Sequence, residues 1–335
     1  MTDLVAIDLG GTNVRFAVGA SYGGKVELGE VVTLRSGDYD GITAAWAEFE
    51  RRHGAALPKA AALSVAGPVV DGRVRLTNLP WRIEHAAMKR DLGLDRLVLV
   101  NDFEAVGHAA AQAAPADFRH LCGPDEDLPT EGIISIVGPG TGLGVAQLWR
   151  NRDDYRIVPC EGGHIGFAPV DAFEDALLDR LRGRFARVSA ERVASGPGIS
   201  DIYEALGGHD GGDTDPAADK NIWTLGIEGN HPIARQAVVR FCMALGSVAG
   251  DLALAHGASA VVIAGGVGWR LADHLPTSGF GARFVAKGRF GEAMERLPVK
   301  IITLAEPGLV GAAAAFARTE AAQGTARPSA LPGGE

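Results

Sequence analysis

Leu4-Val5-Ala6-Ile7-Asp8-Leu9-Gly10-Gly11-Thr12-Asn13-Val14-Arg15-Phe16-Ala17-Val18 joins two apolar runs through a carboxylate and a pair of glycines. Short apolar runs on either side of a glycine turn predict a buried β-hairpin at the start of the chain. Within Ile7 to Thr12 each residue type at the turn has a use toward phosphate. Gly10 and Gly11 let the backbone approach phosphate oxygens with its N–H groups aimed at them. Thr12 offers a hydroxyl donor, and Asp8 can hold Mg²⁺ through water. An ordinary hairpin with an aspartate at its strand end has the same appearance, so this segment alone leaves both readings open.

Gly138-Pro139-Gly140-Thr141-Gly142 repeats the pattern between the apolar runs Ile133–Val137 and Leu143–Trp149, and the repetition favours phosphate over coincidence. Neither turn is a P-loop, because the lysine of GxxxxGK[ST] is missing. Neither is a dinucleotide fingerprint, because a hairpin and not a helix follows. A third glycine turn, Gly265-Gly266-Val267-Gly268, follows the apolar strand Ala260–Ala264 and is a candidate adenosine site or a plain strand-to-helix turn.

The elements around these turns also repeat. The first half reads as strands at Leu4–Asp8, Val14–Val18 and Val26–Leu34, then a helix over Ile42–His53 with Asp40 as a candidate cap. A strand at Ala60–Val65, an irregular stretch after Gly67-Pro68, a helix near Glu84–Leu92, a strand at Leu97–Val100 and a helix from Phe103 to Ala113 complete it. The Pro- and Asp-rich segment Pro115–Thr130 reads as a connection. After it come strands at Ile133–Val137, Leu143–Trp149 and Tyr155–Pro159, a long helix over Pro232–His256, strands at Ala260–Ala264 and Val299–Thr303, and a last helix over Gly308–Arg318. This is an internal duplication of α/β units. It predicts a small lobe over residues 1–113 joined by the last helix at about 306–318, a large lobe over 114–305, and a cleft holding one glycine turn from each. The small polar residues from Thr319 to Glu335 predict a disordered tail.

A length of 335 residues suits two domains. A net charge of −9 argues against a nucleic-acid partner, which would need an excess of Lys and Arg. Cys122, Cys160 and Cys242 are too few and too scattered for a disulfide framework or a zinc cluster, in keeping with a reducing cytoplasm. Asp8 interrupts the first apolar run and no basic stretch precedes it, so neither a signal peptide nor a membrane anchor is expected there.

The chain resembles the bacterial glucokinase family, in its non-ROK group. The resemblance is carried by Asp8 to Asn13, Asn101-Asp102-Phe103, Gly140-Thr141-Gly142-Leu143-Gly144-Val145-Ala146, Glu161-Gly162-Gly163-His164, Ser189-Ala190-Glu191-Arg192-Val193, Ser195-Gly196-Pro197-Gly198 and Ile263-Ala264-Gly265-Gly266. It runs from Met1 to about Arg318. The resemblance implies a two-domain actin-like ATPase (RNase H-like) fold with duplicated mixed-sheet lobes. It further implies transfer of the ATP γ-phosphate to the 6-hydroxyl of glucose, with Mg²⁺ and a homodimer. Asp102 is implied as general base, and Asn101, Asp102, Glu161, His164 and Glu191 as sugar ligands. Two departures stand beside the sugar segment: Cys160 replaces a glycine and Gly166 an aspartate, which keeps mannose, fructose and glucosamine open as acceptors. No structural zinc is expected.

The residues give independent reasons for some of these roles. Asp102 follows the strand Leu97–Val100, at the end of a parallel sheet where ligands bind, although capping the next helix is the competing role. Glu161 and His164, two glycines apart, can turn toward one ligand and read hydroxyl groups, or could form a metal pair. Glu191 by position alone reads as an exposed residue near a helix start. His53, His108 and His256 fall on helices without a partner pattern and read as structural or surface residues. A sugar-binding regulator without catalysis would need an output element, and none is evident.

Overall fold

The computed structural model describes residues 1–22, 24–67, 69–76, 80–152, 154–207, 216–229 and 231–325. The chain divides into two compact units, Met1–Gln112 with Ala305–Glu335, and Ala113–Leu304.

In the first unit β1 (Thr2–Leu9), β2 (Asn13–Tyr22) and β3 (Lys25–Arg35) form an antiparallel meander, followed by α1 (Ile42–His53) and β4 (Ala60–Val65). Where an irregular stretch is expected, β5 (Val69–Val70), β6 (Arg73–Arg75) and β7 (Arg82–Glu84) pair into a small antiparallel sheet instead. These strands are two or three residues long, too short to show periodicity. The unit continues through α2 (His85–Asp91), β8 (Arg96–Asn101) and α3 (Asp102–Gln112). Asp40 does not cap α1. Gly41 holds the N-cap position without a side-chain bond, and the helix begins at Ile42 because Ile42, Ala45, Trp46 and Phe49 supply its buried stripe.

The second unit opens with β9 (Phe118–Cys122), inside the segment expected to be a connection. Its antiparallel pairing with a strand far along the chain makes it a strand, a partnership that local composition does not reveal. Then come β10 (Glu131–Pro139), β11 (Leu143–Asn151), β12 (Asp154–Cys160), α4 (Ala172–Arg182), α5 (Ala190–Val193), α6 (Gly198–Ala205), α7 (Pro216–Ile227) and α8 (Pro232–His256). β13 (Ala260–Ile263), α9 (Gly265–Arg270), α10 (Phe280–Val285), α11 (Gly291–Met294) and β14 (Val299–Ile302) complete it, and α12 (Pro307–Thr325) returns to the first unit. α8 is long and apolar enough to cross a bilayer by length and composition, but most of its apolar window is buried in the second unit.

The two main sheets share one topology. Their orders are β3-β2-β1-β4-β8 and β12-β11-β10-β13-β14, with β9 added at the second sheet's edge. In each, a three-stranded meander continues into two parallel strands. β1 and β4 read as continuous apolar runs because both faces of the sheet are covered. Ile7, Phe16, Phe49 and Leu63 pack on one face. On the other, Leu4, Ala6, Ala17, Ala60 and Ala62 meet Leu309, Ala312, Ala313 and Phe316 of α12. The small side chains let that helix lie close, and a Cβ at Gly311 would collide with the Ala105 carbonyl of α3.

α12 runs past its expected end at Arg318 as far as Thr325. Thr319 Oγ1 donates to the Ala315 carbonyl, Glu320 pairs with Arg96, and alanines keep helix propensity high. Residues 319–325 are therefore helical and not part of a disordered tail, while residues 326–335 lie outside the described residues.

Candidate active site

Sheet register gathers the first set of site residues. Leu9 of β1 is level with Val65 of β4, which is level with Asn101 of β8. The turn Gly10–Thr12 and Asp102 therefore leave the same carboxyl edge of the first sheet. The turn is closed by Gly10 N–H donating to the Asn13 carbonyl at 2.9 Å, and the Thr12 carbonyl accepts from Ser36 N–H at 2.9 Å.

Asp8 lies behind this turn, largely buried. Its Oδ1 accepts from Ser64 Oγ at 3.1 Å and its Oδ2 from Arg15 Nη1 at 3.2 Å. Arg15 is directly opposite Asp8 in the β1–β2 register and also pairs through Nε with Glu306 at 3.2 Å. Burial pushes the Asp8 carboxyl above its usual range, and Ser64 and Arg15 counter that shift. Two carboxyl groups thus share one guanidinium. Glu306 has φ of 50°, a left-handed conformation unusual for a side-chain-bearing residue, immediately before Pro307. Arg15, Ser64 and Glu306 escaped the sequence reading. The two-residue turn is Gly11-Thr12, closed by Gly10 and Asn13, and this register pairs residue 8 with residue 15 where a turn at Gly10-Gly11 would pair it with residue 13.

Asn101 and Asp102 divide two roles. Asn101 Oδ1 accepts from the backbone N–H groups of Phe103 at 2.8 Å and Glu104 at 3.2 Å, while its Nδ2 donates to the Gly67 carbonyl at 3.0 Å. Asn101 therefore caps α3 and ties it to the end of β4. Asp102, half-buried, occupies the first turn of that helix, where its Oδ1 accepts from Phe103 N–H at 2.9 Å.

In the second unit the register is the same. Val137 is level with Ile263 and with Val145, and Val145 is level with Cys160. Gly138–Gly142, Gly265 and Glu161 consequently leave one edge of the second sheet. Gly140 N–H donates to the Gly142 carbonyl at 2.8 Å, and the Gly140 carbonyl accepts from Gly196 N–H at 2.7 Å. Gly196 belongs to Ser195-Gly196-Pro197-Gly198, a segment that marks the family resemblance but was given no role of its own. The third turn is the start of α9, and Gly265 has φ of 78° with no room for a Cβ, which would stand 2.6 Å from the Pro139 carbonyl. Gly140 and Gly266 differ, having neither a left-handed φ nor any atom within 4 Å of the Cβ position. Among the described residues, beyond the immediate chain neighbours, nothing stands against a Cβ at those two places, whereas a phosphate seated on the backbone would.

Glu161, His164 and Glu191 come together beside this turn. His164 Nε2 is 3.8 Å from Glu161 Oε2, and His164 Nδ1 is 3.9 Å from Glu191 Oε1. Glu191 Oε2 accepts from Leu143 N–H at 2.9 Å. The glycines between Glu161 and His164 serve close packing as well as reach. A Cβ at Gly162 would stand 2.9 Å from Val145 Cγ1, and one at Gly163 would collide with the Leu143 carbonyl. Among the described residues no group of three or more His, Cys, Asp or Glu side chains is placed to hold a metal ion. Cys160 turns its thiol to the Val145 carbonyl at 3.6 Å.

The chain matches the family model described as Glucokinase over residues 4–319. It is 50% identical over 316 residues to the glucokinase of Zymomonas mobilis, covering 94% of this chain and 98% of that protein. Among solved structures, a glucokinase from an Antarctic psychrotroph superposes with a TM-score of 0.81 at 33% identity, covering 95% of this chain and 99% of the other. A ROK-family glucokinase from Streptomyces griseus, solved with glucose and AMPPNP, shares the fold at a TM-score of 0.63 and 22% identity, over 95% and 99% of the two chains. The duplicated mixed-sheet units are those of the actin-like ATPase fold. The chain belongs to the glucokinase family.

Proposed function

We propose that this chain phosphorylates glucose at its 6-hydroxyl with the γ-phosphate of ATP, with Asp102 as the base. Asp102 takes the proton of the 6-hydroxyl as that oxygen bonds to phosphorus and the bond to ADP breaks. Because the transition state is loose, alignment and charge neutralisation carry most of the catalysis. Glu161, His164 and Glu191 read the sugar hydroxyls, and Asn101 keeps one amide hydrogen beyond its bond to Gly67 for the same purpose. A sugar of the wrong stereochemistry would leave one of these groups unpaired, at about 1–3 kcal/mol.

The observation that carries this reading is the sheet register, which sends the first glycine turn and Asp102 from one edge of the first unit. The open Cβ positions at Gly140 and Gly266 support phosphate and adenosine contacts from the second unit. Mg²⁺ would neutralise phosphate charge, and Asp8 would hold it through water. A second lone pair on each Asp8 oxygen, beyond those that accept from Ser64 and Arg15, fits that role. Homodimer assembly and action in the cytoplasm belong to the same proposal, the first resting on family resemblance and the second on the few, scattered cysteines.

A coupled assay with ATP and Mg²⁺ across glucose, mannose, fructose and glucosamine tests the reaction. Glucose should give the highest kcat/KM. Another hexose well above it would reject glucose as the acceptor, and no turnover with any would reject the kinase.

A further inference from the structure

We propose that Trp269 is a nucleotide-binding residue, the flat face on which the base of the phosphoryl donor stacks. The inference rests on the function proposed above.

Tryptophans in this chain are mostly inside it. Trp46, Trp81 and Trp223 are buried, and Trp81 and Trp223 donate their indole N–H groups to the Tyr39 and Gly196 carbonyls at 3.0 and 3.2 Å. Trp269 is 65% exposed. Folding leaves most of the surface of this large, rigid ring in water, where a ligand can cover it.

Its place is set by the two faces of α9. On the inner face a Cβ at Gly265 would stand 2.6 Å from the Pro139 carbonyl, and one at Gly268 would stand 3.1 Å from Ile263 Cγ2 and 3.7 Å from Pro139 Cδ. Two glycines thus seat the helix on the backbone of the second glycine turn, and no side chain separates them. Gly266, Trp269 and Arg270 are exposed and, at spacings of three and four residues, share the outer face. Side chains on a helix lean toward its N-terminus, so residue 269 covers the surface above Gly266 and not the far end of α9. No atom outside the adjoining residues and the backbone of α9 lies within 4 Å of a Cβ at Gly266, so the indole does not close that space itself.

This arrangement suits a nucleotide. Phosphates on the backbone of Gly138–Gly142 leave the ribose and base to extend away from the turn. Gly266 offers them an open approach, and Trp269 stands about 4.5 Å further along the helix axis, at 1.5 Å per residue. The neighbours of the indole on the outer face are a glycine and an arginine, so it does not belong to an apolar patch of the kind that docks a protein. Stacking on an aromatic ring recognises the π-face of a base, and its loss on alanine substitution weakens binding by about 5- to 150-fold.

Calorimetric titration of AMP-PNP with Mg²⁺ into the full chain tests this, with glucose titrated into the same variants as a check on the fold. Trp269→Ala and Trp269→Leu should weaken AMP-PNP within that range, Trp269→Phe should retain most of the affinity, and glucose should bind all three as it binds the unaltered protein. Unaltered AMP-PNP affinity in Trp269→Ala or Trp269→Leu would overturn the assignment. So would an equal loss in Trp269→Phe, or a parallel loss of glucose binding. Iodide quenching of fluorescence gives a second reading, because the difference between the unaltered protein and Trp269→Phe isolates this indole. Bound AMP-PNP should shield it, and an indole equally open to iodide with the nucleotide in place would reject the stack. AMP-PNP that does not bind the unaltered protein at all would instead remove the underlying function.

Discussion

The Asp8 carboxylate lies directly against Gly308, such that a Cβ at residue 308 would stand 2.5 Å from Asp8 Oδ1. The start of α12 thus packs beside the first glycine turn, although some three hundred residues separate the two in sequence. Gly308→Ala should push Asp8 away from Ser64 and Arg15. Overpacking costs about 1–3 kcal/mol, and the gain in helix propensity offsets about 1 kcal/mol of it. Stability should therefore drop modestly, while the Mg²⁺ concentration needed for half-maximal rate should rise severalfold. Thermal unfolding and a Mg²⁺ titration of the rate separate the two effects, and an unchanged Mg²⁺ dependence would remove Asp8 from cation binding.

Asn101, not Asp102, carries the cap of α3. Asp102→Asn should consequently lower kcat by orders of magnitude with little effect on the melting temperature. Asn101→Ala should cost about 0.5–2 kcal/mol of stability through the lost cap. Parallel kinetics and thermal melts check this crossing of effects. A base assignment to Asp102 does not survive an unaltered kcat.

Gly163→Ala should damage the sugar site more than its size suggests, because the new methyl group meets the Leu143 carbonyl and not a yielding side chain. The Glu161–His164 segment would have to lift from β11, moving both side chains relative to Glu191. We expect a rise of at least tenfold in glucose KM, equivalent to about 1.4 kcal/mol. Steady-state kinetics over a glucose series provide the measurement, and a wild-type KM would show that the segment can shift without moving its ligands.

His108 is buried in α3, where desolvation first and Arg318 second depress its pKa from 6.5 to about 4. Between those values the unfolded chain binds a proton that the folded chain does not, so stability rises with pH across that window. Acidification from pH 7 to pH 4 should remove roughly 3 kcal/mol through this residue alone. Denaturant unfolding of the wild type and His108→Gln over that range should show a shallower pH slope in the variant. Parallel slopes would mean that His108 protonates in the folded state without penalty.

Much of the duplication was legible because strands buried on both faces read as short apolar runs between glycine turns. β4 and the long helix α8 fall where the apolar pattern puts them. The elements that escaped notice have no such local mark. β9 is a strand because β14 offers it a partner, and the β5–β7 sheet exists through pairing of strands too short to carry a period. The segment after Arg318 is too poor in large apolar residues to suggest a packed helix, yet Arg96 and the preceding turns of α12 hold it.

The two glycine turns, the acidic and histidine side chains beside them, and the family they mark are all legible in residue order. Those features are local, and chemistry at a turn follows from residue types in order. Folding reveals that Asn101 caps α3 beside the proposed base, that Arg15 pairs with both Asp8 and Glu306, and that Glu191 accepts from the Leu143 N–H. The Asn101 cap is local and shows only once β8 is seen to end at that residue, whereas the Asp8 and Glu191 contacts depend on strand register or on a backbone approach closer than a Cβ allows. Such constraints act between residues distant in sequence, through packing and hydrogen-bond geometry that no single segment contains.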